Sequence, residues 1–226
     1  VEASDFVVTV TPPWVEEIRG RYPGERPGKF ICVPNGYDPE MFGAPAPTAP
    51  GGQRFLITYA GSVYDNEVYS PRAFLDAFDS LPERMKERIE VRIAGRVAPE
   101  ARGLFAPERK NVRLLGFVPQ SEAFGLLKES TCLLLIFGSA EGHSGKLFEY
   151  LATGRPILGL TPPGGEIARL LRETRAGWSA PQNDSGAIRD LLEKVFTDWE
   201  LAGEGGELTS PDWEAIRRYE RPRLAG

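Results

Sequence analysis

At 226 residues and 41% hydrophobic side chains, the chain can bury the core of one sizeable domain, or of one domain plus part of another. A net charge of −5 with scattered basic residues excludes an electrostatic footprint for nucleic acid, and no apolar run approaches the length of a membrane span. No signal peptide is visible, although a chain that starts at Val1 says nothing about a segment ahead of it. Cys32 and Cys132 both sit in apolar strand-like runs. They suit small core hydrophobes better than a disulfide framework or a metal site, which implies a reducing, cytoplasmic setting.

In chain order, Phe6 to Val10 predicts a short strand and Trp14 to Tyr22 a helix with Pro13 near its first turn. Phe30 to Val33 predicts a second strand, which runs into Pro34-Asn35-Gly36-Tyr37-Asp38, a turn in which Asn35-Gly36 can take positive φ. Gly43 to Gly52 carries only Gly, Ala, Pro and Thr and reads as a linker, with a domain boundary near residue 50. Strand and helix alternate beyond it. Arg54 to Ala60, Glu90 to Ala94, Val112 to Leu115, Cys132 to Phe137, Ile157 to Leu160 and Gly177 to Ala180 predict strands. The segments between them predict helices, with Ser70-Pro71 as an N-cap and N1 pair for one that runs through Leu81. Ser185 to Trp199 and Pro211 to Tyr219 add two more helices. Six strands alternating with helices predict an α/β fold, a Rossmann-like doubly wound parallel sheet with right-handed crossovers.

Residues 132 to 160, CLLLIFGSAEGHSGKLFEYLATGRPILGL, are the centre of this reading. The opening run is apolar throughout, as suits a strand buried on both faces. Ser144 is a fitting N-cap for a helix from Gly145, and Gly154 followed by Pro156 ends it. A glycine-rich loop entering a helix N-terminus points free N–H groups and the positive end of the helix dipole at one spot, which suits a phosphate. Lys146 adds a charge there, and Glu141 and Glu149 can face a ligand's hydroxyl groups. The loop is not a Walker A loop, since Ala140 and Leu147 stand where that pattern needs Gly and Ser or Thr. Open α/β sheets bind ligands beyond the carboxyl ends of their strands, so Gly61-Ser62, Gly95-Arg96, Gly116-Phe117-Val118 and Gly138 to Lys146 are the candidate loops. His143, the sole histidine, reads as a solvated loop residue, while Phe117, following a strand-end glycine, is the one aromatic not assigned to the core. Lys146 in a first helical turn needs a reason, either an anion or a salt bridge with Glu149 or Glu141.

Pro34 to Asp38, Ala60-Gly61, Leu115-Gly116-Phe117-Val118 and the run Glu141 to Pro156 together resemble the retaining GT-B glycosyltransferases that use nucleotide sugars, specifically their C-terminal donor-binding domain. The resemblance covers nearly the whole chain, in order. It implies a hexosyltransferase whose co-substrate is a nucleoside diphosphate sugar, with no other cofactor and no metal held by the protein. By resemblance Glu141 contacts the transferred sugar and Glu149 the ribose. The backbone of His143, Ser144 and Gly145 takes the diphosphate, and Gly116, Phe117 and Val118 lie against the base. Gly61, Arg96, Gly142 and Leu147 complete the donor site, with Glu141 and Lys146 as the catalytic pair. The resemblance also implies missing parts: residues 1–43 as the end of an N-terminal acceptor domain, 53–210 as the donor domain, and 211–226 as a helix crossing back. Any peripheral membrane association would then run through the missing domain, and this part alone would bind donor without turning it over. Members of the family commonly carry an Arg and a Lys in the loop after the first donor-domain strand, whereas that loop here reads GSVYDNEVY, with no base, so that either Lys146 and Arg96 substitute or the donor site is weakened, and substitution by Lys146 is the favoured expectation. A nucleotide sugar epimerase of the same fold and a non-catalytic sugar nucleotide-binding protein are the competing expectations.

Overall fold

The computed structural model describes residues 1–42, 54–105, 109–203 and 206–225. The predicted linker at 43–52 lies outside the described residues. Among the described residues, eight strands form two parallel sheets: β1 (Val7–Thr9) with β2 (Phe30–Cys32), and a larger sheet of β3 (Phe55–Ala60), β4 (Ile89–Ala94), β5 (Val112–Gly116), β6 (Cys132–Ile136), β7 (Ile157–Leu160) and β8 (Gly177–Ala180). The larger sheet runs β5-β4-β3-β6-β7-β8, which places the first strand of the unit beside the fourth. That is the doubly wound order with a single reversal, and the crevice at the reversal opens between β3 and β6.

The helices are α1 (Pro12–Arg21), α2 (Pro39–Phe42), α3 (Arg72–Asp79), α4 (Glu83–Lys86), α5 (Gln120–Glu129), α6 (Gly145–Thr153), α7 (Glu166–Thr174), α8 (Ser185–Ala202), α9 (Trp213–Arg217) and α10 (Arg221–Leu224). The period-two alternation of a strand divides the core by face. Cys132, Leu134 and Ile136 join the cluster under α3 and α8, whereas Leu133 and Leu135 join the one under α6 and α7. Both faces of β6 are thus dry, as its unbroken apolar run requires.

Several sequence expectations change in detail. Asp38 caps a short helix, accepting the N–H of Glu40 at 3.0 Å, and the helix carries buried Phe42 onto Phe124 with ring centroids 4.5 Å apart. Gly36 does not take positive φ. A glycine is needed there because a Cβ would run into the carbonyl of Tyr219 and the side chain of Leu224. Tyr37 and Tyr219 then pair backbone to backbone, N–H to carbonyl, at 3.0 Å, and Arg221 returns its N–H to the Tyr37 carbonyl at 2.9 Å. The helix predicted over 211–219 is the shorter α9, and a further short helix, α10, follows beyond the bridge of Tyr37 with Glu220.

Candidate functional site

β3 and β6 pair only through Ile57 with Cys132 and Thr58 with Leu133. Beyond that register the strands part, and a cleft of about 420 Å³ opens at their carboxyl ends, lined by Gly61, Arg96, Phe117, Val118, Lys146 and Glu149 among others. Gly61 at φ 132° and Gly116 at φ 71° hold backbone conformations that a side chain would strain. A larger hollow of about 760 Å³ lies at the amino ends of the strands, around Arg54, Glu83 and Lys86. Most of its charges are paired: Lys86 with Glu83 at 2.9 Å, Arg109 with Asp79 at 2.7 Å and Arg54 with Glu90 at 3.4 Å. The cleft at the strand reversal is the candidate site.

Lys146 is the second residue of α6. Its Nζ donates to the Tyr59 hydroxyl at 2.9 Å and sits 4.3 Å from the centre of that ring. Burial pulls its ammonium down to about 8, while Glu149 pulls it the other way. Among the described residues it forms no ion pair with Glu149 or Glu141, so the salt bridge named as the alternative to an anion is not formed, and a neutral phenol is its partner. Glu149, half-buried one turn further along α6, has its carboxyl raised by burial, with Arg221 and Lys146 opposing. Across the cleft the exposed Arg96 guanidinium lies 5.5 Å from the Phe117 ring centre, and Phe117 is 72% exposed, so it is not a core aromatic.

The remainder of the loop is placed differently. Ser144 caps α6, its hydroxyl accepting the Lys146 N–H at 3.4 Å. Gly145 is exposed, with open space where a Cβ would stand, and no hydrogen bond among the described residues engages its N–H or that of Ser144. Leu147 is turned wholly into the core, and its N–H is given to the Ser144 carbonyl at 3.1 Å, so it does not face the cleft. Glu141 stands exposed on the loop, accepting from the Ser139 hydroxyl at 3.2 Å, outside the residues that line the cleft. His143 is not solvated. It is buried, its Nε2 lies 2.9 Å from the Val10 carbonyl, its ring meets Phe148 edge-on, and burial lowers its pKa. Beside it Gly142 leaves room for Trp14, so this loop rests on the β1–α1 segment. Sequence reasoning missed Tyr59, an aromatic in an apolar strand run whose only signal was its position two residues ahead of Gly61. Among the described residues, no group of three His, Cys, Asp or Glu side chains could hold a metal ion, and no helix is long and apolar enough to cross a membrane.

Fold and site together define a Rossmann-like domain whose candidate ligand cleft sits at the strand reversal. The chain belongs to the family Glycosyl transferases group 1, which it matches over residues 54–198. It is 32% identical over 101 residues to the probable glycosyltransferase WbjE of Pseudomonas aeruginosa, a match covering 42% of this chain and 24% of that protein. It is 33% identical over 89 residues to the amylovoran biosynthesis glycosyltransferase AmsK of Erwinia amylovora, covering 37% of this chain and 21% of that one. The matches thus span about a quarter or less of the lengths of these curated relatives. In fold it is similar to HepE of Anabaena, solved with UDP, at a TM-score of 0.74 and 12% identity, over 98% of this chain and 61% of HepE.

Proposed function

We propose that this chain is the donor-binding part of a retaining glycosyltransferase, which moves a hexosyl group from a nucleoside diphosphate sugar to a saccharide, lipid or small-molecule acceptor. The carrying observation is the convergence of Lys146, Glu149 and Gly61 on one cleft at the strand reversal. The UDP bound to HepE supports uracil as the base. In the transfer, the bond from the anomeric carbon to the diphosphate oxygen breaks and negative charge builds on the leaving diphosphate. Lys146 and the open N–H groups of Ser144 and Gly145 meet that charge. Glu149 takes the ribose hydroxyls, Phe117 and Val118 flank the base, and Glu141, exposed on the loop outside the cleft lining, is assigned to the transferred sugar. No metal or further cofactor is required of the chain. The acceptor is held by an N-terminal domain in cis, to which residues 1–43 belong, and the protein works in the cytoplasm.

A second reading, a sugar nucleotide sensor without turnover, is favoured by one observation, the base-free loop over residues 61–70. Calorimetric titration with UDP and GDP tests the site. UDP should bind, and Lys146→Ala should weaken it about tenfold, the worth of one charge-assisted contact. Binding of neither nucleotide by the wild type would end the donor reading. Release of UDP from UDP-sugar by a longer chain carrying these residues separates transferase from sensor.

A further inference from the structure

Within that donor-binding reading, on which this step rests, we infer that Tyr59 is a positioning residue that holds the Lys146 ammonium at the phosphate end of the cleft without cancelling its charge. Tyr59 is 2% exposed and fixed in β3. Its phenol has a single proton, which it donates to the Ser62 carbonyl at 2.9 Å. Towards Lys146 it can therefore only accept, which it does at 2.9 Å. The ring face adds attraction for the cation from 4.3 Å. The side chain of Lys146 threads across to Tyr59 over Gly61, where any Cβ would collide with its Nζ and Cε.

A carboxylate partner would have fixed the lysine equally well and neutralised it. A phenol and a ring fix it and leave a whole positive charge for an anion. This supplies the cation that the loop after β3 lacks, and it ties that loop to α6 through one hydroxyl shared by Lys146 and Ser62. The charged and titratable groups about the ammonium are Tyr59 from β3, Glu149 from α6 and Arg96 from the loop after β4, with Tyr64 and Tyr69 acting on Tyr59.

The test measures the Lys146 titration by NMR of 13Cε-labelled lysine, together with the affinity for UDP and for uridine, in the wild type, Tyr59→Phe and Tyr59→Leu. With Tyr59→Leu the ammonium loses its acceptor and its ring face, so its midpoint should leave about 8, falling where the side chain stays buried and climbing towards the ordinary 10.5 where it swings into water. UDP affinity should fall about tenfold while uridine, which has no phosphate, binds as before. Tyr59→Phe, which keeps the ring, should recover part of both. Equal UDP affinity and an unmoved midpoint in a folded Tyr59→Leu chain would overturn the positioning role alone. A wild type that binds neither UDP nor GDP would overturn the donor reading, and with it the purpose assigned to Tyr59.

Discussion

The hydroxyl of Tyr150 accepts the N–H of Ala60 at 2.9 Å, where β3 has already parted from β6. The last ladder pair on that side is Thr58 with Leu133, so the Ala60 N–H has no strand to receive it, and a side chain from α6 takes the place of the missing strand. The same bond pins the helix that carries Lys146 and Glu149 to the lip of the cleft.

Tyr150→Phe takes the partner from that part-buried N–H at the cleft wall. The loss of one such hydrogen bond, about 0.5–1.5 kcal/mol, should appear as a fall of a few degrees in the melting temperature by calorimetry. UDP affinity should fall as well, because α6 loses its anchor at the cleft. An unchanged melting temperature would mean that the bond contributes nothing.

Much of this architecture was legible in the sequence, for physical reasons that differ by element. The apolar run Cys132 to Phe137 could only be a strand covered on both faces, and Ser144 and Gly154 bracket α6 because a cap and a left-handed stop have few alternatives. The ring of His143 and the role of Gly36 were not legible, since both depend on what a distant segment brings: the Val10 carbonyl in one case and Tyr219 in the other. Lys146 announced a charge near a phosphate loop, but its partner is 87 residues away. Periodicity assigned Tyr59 to the core and could not show that its hydroxyl reaches out of it.

The depressed Lys146 pKa carries a stability signature with a definite sign. Its ammonium titrates near 8 in the folded chain against 10.5 as an ordinary lysine, so between those values the unfolded chain binds more protons than the folded one. Stability then rises with pH across that window, and below about 8 the chain carries the cost of a buried charge. Lys146→Met should raise the chemical denaturation midpoint at pH 7 and remove this contribution to the rise between pH 8 and 10.5. It should weaken UDP binding at the same pH, a trade of stability for function. A wild type whose denaturation midpoint is flat across that window, or falls, would contradict the assignment.

Gly61→Ala tests whether the lysine depends on the space beside it. At φ 132° an alanine is strained, and its Cβ would displace the Lys146 tip. The single variant should lose UDP affinity about as much as Lys146→Ala does. Adding Lys146→Ala to Gly61→Ala should cost little more, because the contact is already gone. Fully additive losses in a double-mutant cycle would show that the two positions act separately.

Gly36 makes the corresponding test at the other end of the chain. Tyr219 and Arg221 exchange backbone hydrogen bonds with Tyr37 at 3.0 and 2.9 Å, and Tyr37 reaches the Glu220 carboxylate at 3.4 Å. None of these bonds can form if a Cβ at position 36 holds the Tyr219 carbonyl and Leu224 away. Gly36→Ala should therefore release α10 while leaving the large sheet intact. Limited trypsin digestion reads this directly, since Arg218 and Arg223 flank the bridge and Arg221 is shielded by Pro222. Cleavage at the first two sites should quicken several-fold at an almost unchanged melting temperature. Arg221 is also one of the two cations that oppose the raised Glu149 carboxyl. Its departure should push that carboxyl higher still, so a released tail and a shifted Glu149 titration are expected together, and a digestion rate equal to wild type would remove both.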